Sequence, residues 1–341
     1  MPKIALITGV AGFVGAAVAE RLLTEGWQVV GLDNLNDYYT PVLKEARLAH
    51  IRRHPAGKNF SFHKLDLIDR DAVIALAVVS KPSVVIHLAA QASVRYGLVN
   101  QVSYLESNLI GHFNMLSATK ALADSGHPVR HFLYASSSSV YGNNESTMED
   151  GAFSEADNVD KPVSLYAATK RANELVTHAW SHQFGLPATG LRFFTVYGPW
   201  GRPDMTPVMF TRAIAEGKPI PLFNKGDLWR DFTYIDDIVE AVFRLMSVIP
   251  EAHPTPHTFY NLGNQTPVQM LTFVETLGKV LGKTPVLDMQ GWPSTEVYKT
   301  HADTSRLKQA VGWAPATPLT TGLSRLAEWY TATGHSVLAK A

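Results

Sequence analysis

The sequence predicts the α/β class: a doubly wound parallel sheet with helices on both faces, followed by a smaller C-terminal α/β lobe. Short β-branched or aliphatic runs alternate with stretches of helical length and apolar spacing through the first half of the chain. The first run leads at once into a glycine-rich turn and a helical pattern. Beyond about Tyr197 the alternation loosens, and prolines and glycines become frequent.

The elements follow in order. Runs at 3–8, 28–33, 60–66, 84–89 and 131–136 read as five strands, with 186–194 as a sixth. Each is separated from the next by a helix-length crossover, so they pair in parallel rather than as hairpins. In the second half, shorter strands at 231–235 and 259–262 alternate with helices starting near Asp236 and Pro267. The expected division is 1–196 for the first lobe and 197–341 mainly for the second, with some late segments returning to the first.

Composition excludes several function classes. A chain of 341 residues, 46% hydrophobic and 18% charged, fits an ordinary globular enzyme. Thirty Lys and Arg balance thirty Asp and Glu, so no global field draws the protein to nucleic acid or to an anionic membrane, and any anion site must be local. The absence of cysteine removes disulfides, thiolate metal sites and a cysteine nucleophile together. No run has the apolar length to span a bilayer, and the first strand begins without a basic leader, so the cytoplasm is the expected compartment.

The turn after the first strand is Gly9-Val10-Ala11-Gly12-Phe13-Val14-Gly15, a G-x-x-G-x-x-G pattern entering the helical stretch 16–24. One glycine permits the tight turn, another lets the backbone approach a pyrophosphate, and the last seats the helix near the strand. The helix N-terminus then faces the phosphates with its partial positive charge. Asp33 ends the second strand, eighteen positions past Gly15, where a carboxylate accepts from the adenosine ribose hydroxyls. It would repel a 2′-phosphate, and the first basic residue after it is Lys44, so NAD is favoured over NADP. Asn34 and Asn36 beside it, Asp66 and Leu67 at the third strand end, and Leu88 and Ala90 at the fourth complete the cofactor set of a Rossmann crevice.

Tyr166 and Lys170 are four apart, so on a helix they share a face, and a lysine charge there can lower the tyrosine pKa. Ser137, at the carboxyl end of the fifth strand, can hold the same substrate hydroxyl while Tyr166 removes its proton. Lys170 is also expected to reach the nicotinamide ribose. The polar, acidic stretch 143–161, between that strand and the Tyr166 helix, is expected to form a loop over the site. His178 and His182 are four apart on the same helix, but without further ligands they read as amphipathic-helix histidines, and no metal is expected.

Four stretches carry a family resemblance: 31–39, 134–142, 164–170 and 191–205, the last being Leu-Arg-Phe-Phe-Thr-Val-Tyr-Gly-Pro-Trp-Gly-Arg-Pro-Asp-Met. Through them almost the whole chain resembles the extended short-chain dehydrogenase/reductases, and within these it is similar to the UDP-glucuronate 4-epimerases. The resemblance implies a UDP-sugar oxidised at C4 by bound NAD, a 4-keto intermediate that turns over in the site, and hydride return to the opposite face. Tyr166 would take and return the proton, Ser137 would orient O4, and Lys170 would tune Tyr166. Arg230 matches the family position for the UDP diphosphate, Arg202 the nucleotide or uronate end, and Arg95 is a further candidate anion partner. The helices at 103–124 and after Lys170 match elements that relatives use in a dimeric four-helix interface, so a homodimer is implied. Residues 290–297 depart from the Gln-Pro-Gly-Asp-Val of relatives.

The run after Ser137 narrows the reaction. Dehydratases of this superfamily have Asp-Glu there and the decarboxylases a glutamate nearby, whereas this chain has Ser138 and Ser139. Elimination across C5 and C6 needs an acid and a base, so their absence opposes it. Thr195, where UDP-galactose 4-epimerases usually have asparagine, adds another hydroxyl near the hexose C6. Ser138, Ser139 and Thr195 are expected to hold a uronate carboxylate so that its bond to C5 stays out of overlap with the ketone, suppressing decarboxylation. The alternatives are a 4-epimerase of UDP-N-acetylhexosamine or its uronate, and a non-catalytic NAD-binding protein.

Overall fold

The computed structural model of the protein describes residues 3–143, 151–291 and 297–339. The expected alternation is realised in order as β1 (Ile4–Thr8), α1 (Phe13–Thr24), β2 (Gln28–Asp33), α2 (Pro41–Arg53), β3 (Phe60–Lys64), α3 (Arg70–Ser80) and β4 (Val84–His87). A helical turn α4 (Val102–Tyr104), a π-helical stretch Leu105–Ile110 and α5 (Gly111–Asp124) then run on with helical backbone throughout, followed by β5 (His131–Ser137), α6 (Leu165–Phe184) and β6 (Ala188–Phe193). The second half holds β7 (Thr195–Tyr197), α7 (Thr206–Glu216), β8 (Pro219–Leu222), β9 (Trp229–Tyr234), α8 (Ile235–Leu245), β10 (His257–Leu262), β11 (Pro267–Gln269), α9 (Met270–Leu281), β12 (Val286–Met289), α10 (Ser305–Val311), α11 (Leu319–Trp329) and α12 (His335–Leu338).

Seven parallel strands form the central sheet in the order β10-β6-β5-β4-β1-β2-β3, which establishes the doubly wound α/β class. Side chains alternate across it as strand geometry requires. Ala5, Ile7, Val84, Ile86 and Leu133 enter one core, while Leu6, Val85, Phe132 and Tyr134 enter the other. A parallel sheet is covered on both faces, and all four residues of β4 are accordingly buried. Strand order reverses between β1 and β4, so the connections leave in opposite directions there and open a crevice at the carboxyl ends.

Beyond β6, β7 pairs in parallel with β9, β11 runs antiparallel to β9, and β12 pairs with β8. β10 leaves these small sheets and extends the central one beside β6, in register from His257 with Ala188 to Leu262 with Phe193. The helix expected near Pro267 starts at Met270, because 267–269 is taken up as a strand on β9. The stretch 143–161, expected to form a loop over the site, is described only in part. Residues 144–150 lie outside the described residues, and 151–161 do not line the cavity at the sheet edge. Phe153 instead stacks on Tyr141, ring centroids 4.6 Å apart, in a small core with Val140, Val159, Phe194 and Ala302. An aromatic inside a polar segment outweighed the polarity around it.

Helix α6 is punctuated at both ends. The Ser164 side chain accepts from the Ala167 N–H at 3.1 Å, and Gly185 closes the helix in the left-handed region at φ 67°. Arg47 of α2 ties the two halves together. Almost wholly buried, it donates to Ala11 O at 3.0 Å in the glycine turn, to the Tyr39 hydroxyl at 2.7 Å, and to Trp200 O at 2.6 Å beyond β7. Arg47→Met leaves those acceptors buried without a donor, and a loss of about 3 kcal/mol in urea unfolding is expected. A loss below about 0.5 kcal/mol, the ordinary size for an exposed substitution, would show that water replaces the guanidinium.

Candidate active site

Every residue singled out from the sequence for cofactor, catalysis or substrate lines one cavity of about 600 Å³ at the carboxyl edge of the sheet. At one end lie Gly9, Gly12, Phe13, Val14 and Gly15, where α1 begins. Gly9 has φ +70° and its missing Cβ would sit 2.8 Å from the Ala89 backbone; a Cβ on Gly15 would meet Gly9 O at 2.1 Å. The turn therefore exposes backbone to the cavity at a helix N-terminus, the surface that a dinucleotide pyrophosphate requires.

Asp33 is held by N–H donors on both sides, Ala11 at 3.2 Å and Leu35 at 2.9 Å. Burial raises its pKa, and those N–H groups with the Lys44 charge work against that rise. The Asn34 amide donates to Asp66 at 2.8 Å, joining the ends of β2 and β3. Lys44 also lines the cavity, its ammonium bound at 2.6 Å to both the backbone and side-chain oxygens of Asn36. The sequence marked Lys44 only as the next basic residue; its helix turns it back toward Asp33. Leu67, Leu88 and Ala90 complete this end.

Ser137, Tyr166 and Lys170 come together at the middle, supplied by β5 and by one face of α6. The Ser139 hydroxyl donates to Ser137 Oγ at 2.9 Å, and Ser137 shares the cavity wall with Tyr166. Burial pushes the phenol pKa up, while the polar Ser137 hydroxyl and the Arg202 charge pull it down. Lys170 was expected to lower the tyrosine, but its ammonium donates to Ala135 O at 2.8 Å and lies 5.8 Å from the Tyr166 ring centre. Burial brings the Lys170 pKa down to about 8. Both groups are thus pressed toward their neutral forms.

The far end holds Arg95, Ser138, Ser139, Thr195, Arg202 and Arg230. Arg202 is paired with Asp204 at 2.6 Å, and the Tyr38 hydroxyl donates to the same carboxylate at 2.7 Å. Burial disfavours the Arg202 charge and Asp204 more than restores it; Asp204 is itself drawn below the ordinary carboxylate range, burial being outweighed by Arg202. Only its place two residues on marks this partner in the sequence. The Arg95 guanidinium lies 5.4 Å from the centre of the Phe223 ring across the cavity, and Arg230 donates to Trp229 O at 2.8 Å and Tyr298 O at 3.2 Å. Within 290–297, residues 292–296 lie outside the described residues.

Among the described residues, no group of three or more His, Asp or Glu side chains is placed to hold a metal, and no helix is long and apolar enough to cross a membrane. His178 Nδ1 sits 3.3 Å from His257 Nδ1, and His182 Nδ1 3.2 Å from the Thr255 hydroxyl.

Residues 5–263 match the NAD dependent epimerase/dehydratase family. The chain is 42% identical over 339 residues to a probable UDP-glucuronate 4-epimerase of Rhizobium meliloti, covering 95% of this chain and 96% of that one. It is 43% identical over 339 residues to UDP-glucuronate 4-epimerase 1 of Arabidopsis thaliana, covering 95% and 76%. Its fold is similar to the crystal structure of UDP-glucuronic acid 4-epimerase from Bacillus cereus in complex with UDP-glucuronic acid and NAD, at TM-score 0.85, 28% identity and coverage of 96% and 99%.

The Lys170 ammonium has an experimental signature. Its folded pKa of about 8 lies below the usual 10.5, so burial of its charge opposes folding below pH 8, and that opposition is relieved as pH rises through the window between the two values. In ligand-stripped protein, the melting temperature of the native chain is therefore expected to gain on that of Lys170→Met as pH rises from 8 to 10.5. A difference that stays flat with pH would mean that Lys170 titrates normally.

Proposed function

The chain belongs to the NAD dependent epimerase/dehydratase family, and from that membership we propose that it interconverts UDP-glucuronate and UDP-galacturonate by C4 epimerisation, without loss of the carboxylate. What carries the proposal is one cavity in which Tyr166 and Lys170 meet the hydroxyl run Ser137, Ser138 and Ser139 with Thr195, in a chain about as similar to named UDP-glucuronate 4-epimerases as 42–43% identity. The runner-up, a 4-epimerase of UDP-N-acetylhexosamine or its uronate, has less support: the hexosamine gives these neutral donors no anion to hold, and the relatives named above act in name on UDP-glucuronate.

The glycine turn, Asp33, Asn34, Asn36, Asp66, Leu67, Leu88 and Ala90 fit NAD. The turn brings the N-terminus of α1 to the pyrophosphate with no side chain at Gly12 or Gly15 in the way, and Asp33 gives the ribose a buried acceptor. The chemistry NAD supplies when bound is reversible hydride acceptance. Ser137 orients the sugar O4, and Tyr166 takes its proton and later returns it. The Ser139 hydroxyl donates to Ser137, and the Ser137 hydroxyl beside Tyr166 favours the phenolate, because a donor to the charged form lowers its pKa. Lys170 reaches the nicotinamide ribose from the helix face it shares with Tyr166. Arg230 takes the diphosphate, where a guanidinium can bind two oxygens, while Arg202 and Arg95 take the remaining anionic groups. The sugar must present both faces of C4 to one hydride position, so it turns within the cavity between oxidation and reduction.

The 4-keto uronate is a β-keto acid, which loses carbon dioxide when the carboxylate bond to C5 aligns with the carbonyl π system. Ser138, Ser139 and Thr195 hold the carboxylate out of that alignment with charge-assisted hydrogen bonds, worth about twice a neutral one. We place residues 1–196 as the cofactor and catalytic lobe and 197–341 as mainly the UDP-sugar lobe. The protein is expected to convert UDP-glucuronate without added NAD, the uronate epimers being separated by chromatography. Thr195→Ala is expected to divert at least several per cent of turnover, on the order of what a lost charge-assisted hydrogen bond permits, to carbon dioxide and UDP-pentose. Product only from UDP-N-acetyl sugars would replace this function with the runner-up.

A homodimer is part of the same proposal. Leu98, Val99 and Val102 are 75%, 77% and 59% exposed, and Leu105, Ile110 and Phe113 continue that apolar strip toward Leu175 and Phe184 of α6. Phe113 meets Trp180 edge-on at 5.6 Å, which sets the two helical faces side by side. A twofold axis would cover both faces with a second copy as a four-helix layer. Light scattering is expected to give a dimer, and Ile110→Glu a monomer; a native monomer at micromolar concentration would end the idea.

A further inference from the structure

The serine run that faces the cavity is tied at both ends to one buried ion pair, Glu174 with Arg192. Glu174 is fully buried on α6, one turn beyond Lys170 and two beyond Tyr166. Arg192, 2% exposed on β6, grips it bidentately, Nε to Oε1 at 2.9 Å and an Nη to Oε2 at 3.0 Å. Ahead of the run, the Ser136 hydroxyl donates to Glu174 Oε1 at 2.7 Å. Behind it, the Tyr141 hydroxyl accepts from Arg192 at 3.0 Å and donates to Asn261 of β10 at 2.6 Å.

We infer that Ser136, Glu174, Arg192 and Tyr141 are positioning residues that fix the register of Ser137–Ser139 against Tyr166 on α6, and thereby set both the rate of C4 oxidation and the retention of the carboxylate. Carboxylate retention rests on the uronate function proposed above; the register itself does not. Apolar packing holds a helix at a distance from a sheet but is non-directional, so it leaves sliding along the helix axis weakly opposed. A bidentate guanidinium–carboxylate pair is directional and planar. Here the carboxylate rides on the helix that supplies the tyrosine, and of the pair's three outward hydrogen bonds two land on the residues flanking the serines, the third coming from Arg171 of the same helix. A helix slip would carry Tyr166 away from Ser137 while leaving both side chains in the cavity.

If that register loosens after oxidation, the carboxylate rotates into overlap with the C4 ketone. The C5–C6 bond then breaks, carbon dioxide leaves, its electron pair remains as the enolate of the ketone, and C5 takes up a proton. UDP-pentose forms when the ketone is reduced.

Two variants each remove one oxygen and keep the ion pair: Ser136→Ala and Tyr141→Phe. Both are expected to stay folded with NAD bound, melting a few degrees below native because a buried partner is lost. With UDP-glucuronate, each is expected to lose about tenfold in kcat at unchanged KM, the scale of a small misplacement of reacting groups. Each is also expected to raise the carbon dioxide and UDP-pentose fraction above native. Native kcat and native product ratio in both variants would overturn the inference. If the native chain turns over another UDP-sugar and not UDP-glucuronate, the uronate function fails. The kcat comparison on that sugar then decides the register alone, with a loss upholding it and equality overturning it.

Discussion

The geometry of the cavity depends on a charge pair that never meets it. Glu174 and Arg192 lie behind the catalytic wall, where moving two charges out of water is expensive unless every lone pair and proton finds a partner. Here the partners are found. The carboxylate accepts from Arg192, Ser136 and Arg171, and the guanidinium also reaches the Tyr141 hydroxyl. Such a pair adds little net stability over an apolar substitute of the same shape; what it adds is a unique arrangement, because only one approach of α6 to β5 and β6 satisfies it. Tyr166, Lys170 and Glu174 recur every four residues on one helix, so fixing the last constrains the first two.

Burial has the opposite effect on the groups that face the cavity. The Tyr166 phenol is pushed up and the Lys170 ammonium down, so the protein alone favours a neutral pair. Asp33 is likewise pushed toward its neutral form by burial, restrained by two backbone N–H groups and Lys44. Arg202 keeps its charge because Asp204 and Tyr38 supply an anionic, hydrogen-bonded neighbourhood of their own. The low-dielectric walls make every charge entering the cavity count for more than it would in water. Charge in this site is therefore set jointly by protein and ligand.

Much of this was legible from the chain. Alternation of short apolar runs with helical spacings gave the six leading strands to within about two residues, because strands buried on both faces have few other compositions open to them. The glycine turn and Asp33 were legible because backbone clearance and strand-end placement impose residue types at fixed spacing. Long-range geometry was not. Lys44 turns back to Asn36, Arg47 spans from the glycine turn to Trp200, and Asp204 pairs with Arg202; each depends on where a helix or loop is docked, which no local period encodes. The path of the segment around Phe153 was not legible for a related reason, since one aromatic ring stacked on Tyr141 decides it against a polar composition.

The β7–Trp200 segment illustrates how the two ends of the cavity are joined. Arg202 projects from a stretch whose preceding carbonyls, Trp200 O and Gly201 O, are both held by Arg47. The same guanidinium holds Ala11 O, two residues past Gly9, which turns at φ +70°. A five-donor fork is the side chain able to serve carbonyls from separate segments in one plane, and a lysine would offer a single point charge there. The cofactor turn and the segment carrying Arg202 are thus fixed by one side chain, although about 190 positions of sequence lie between them. Their spacing is set by the size of a guanidinium rather than by the length of the chain that connects them.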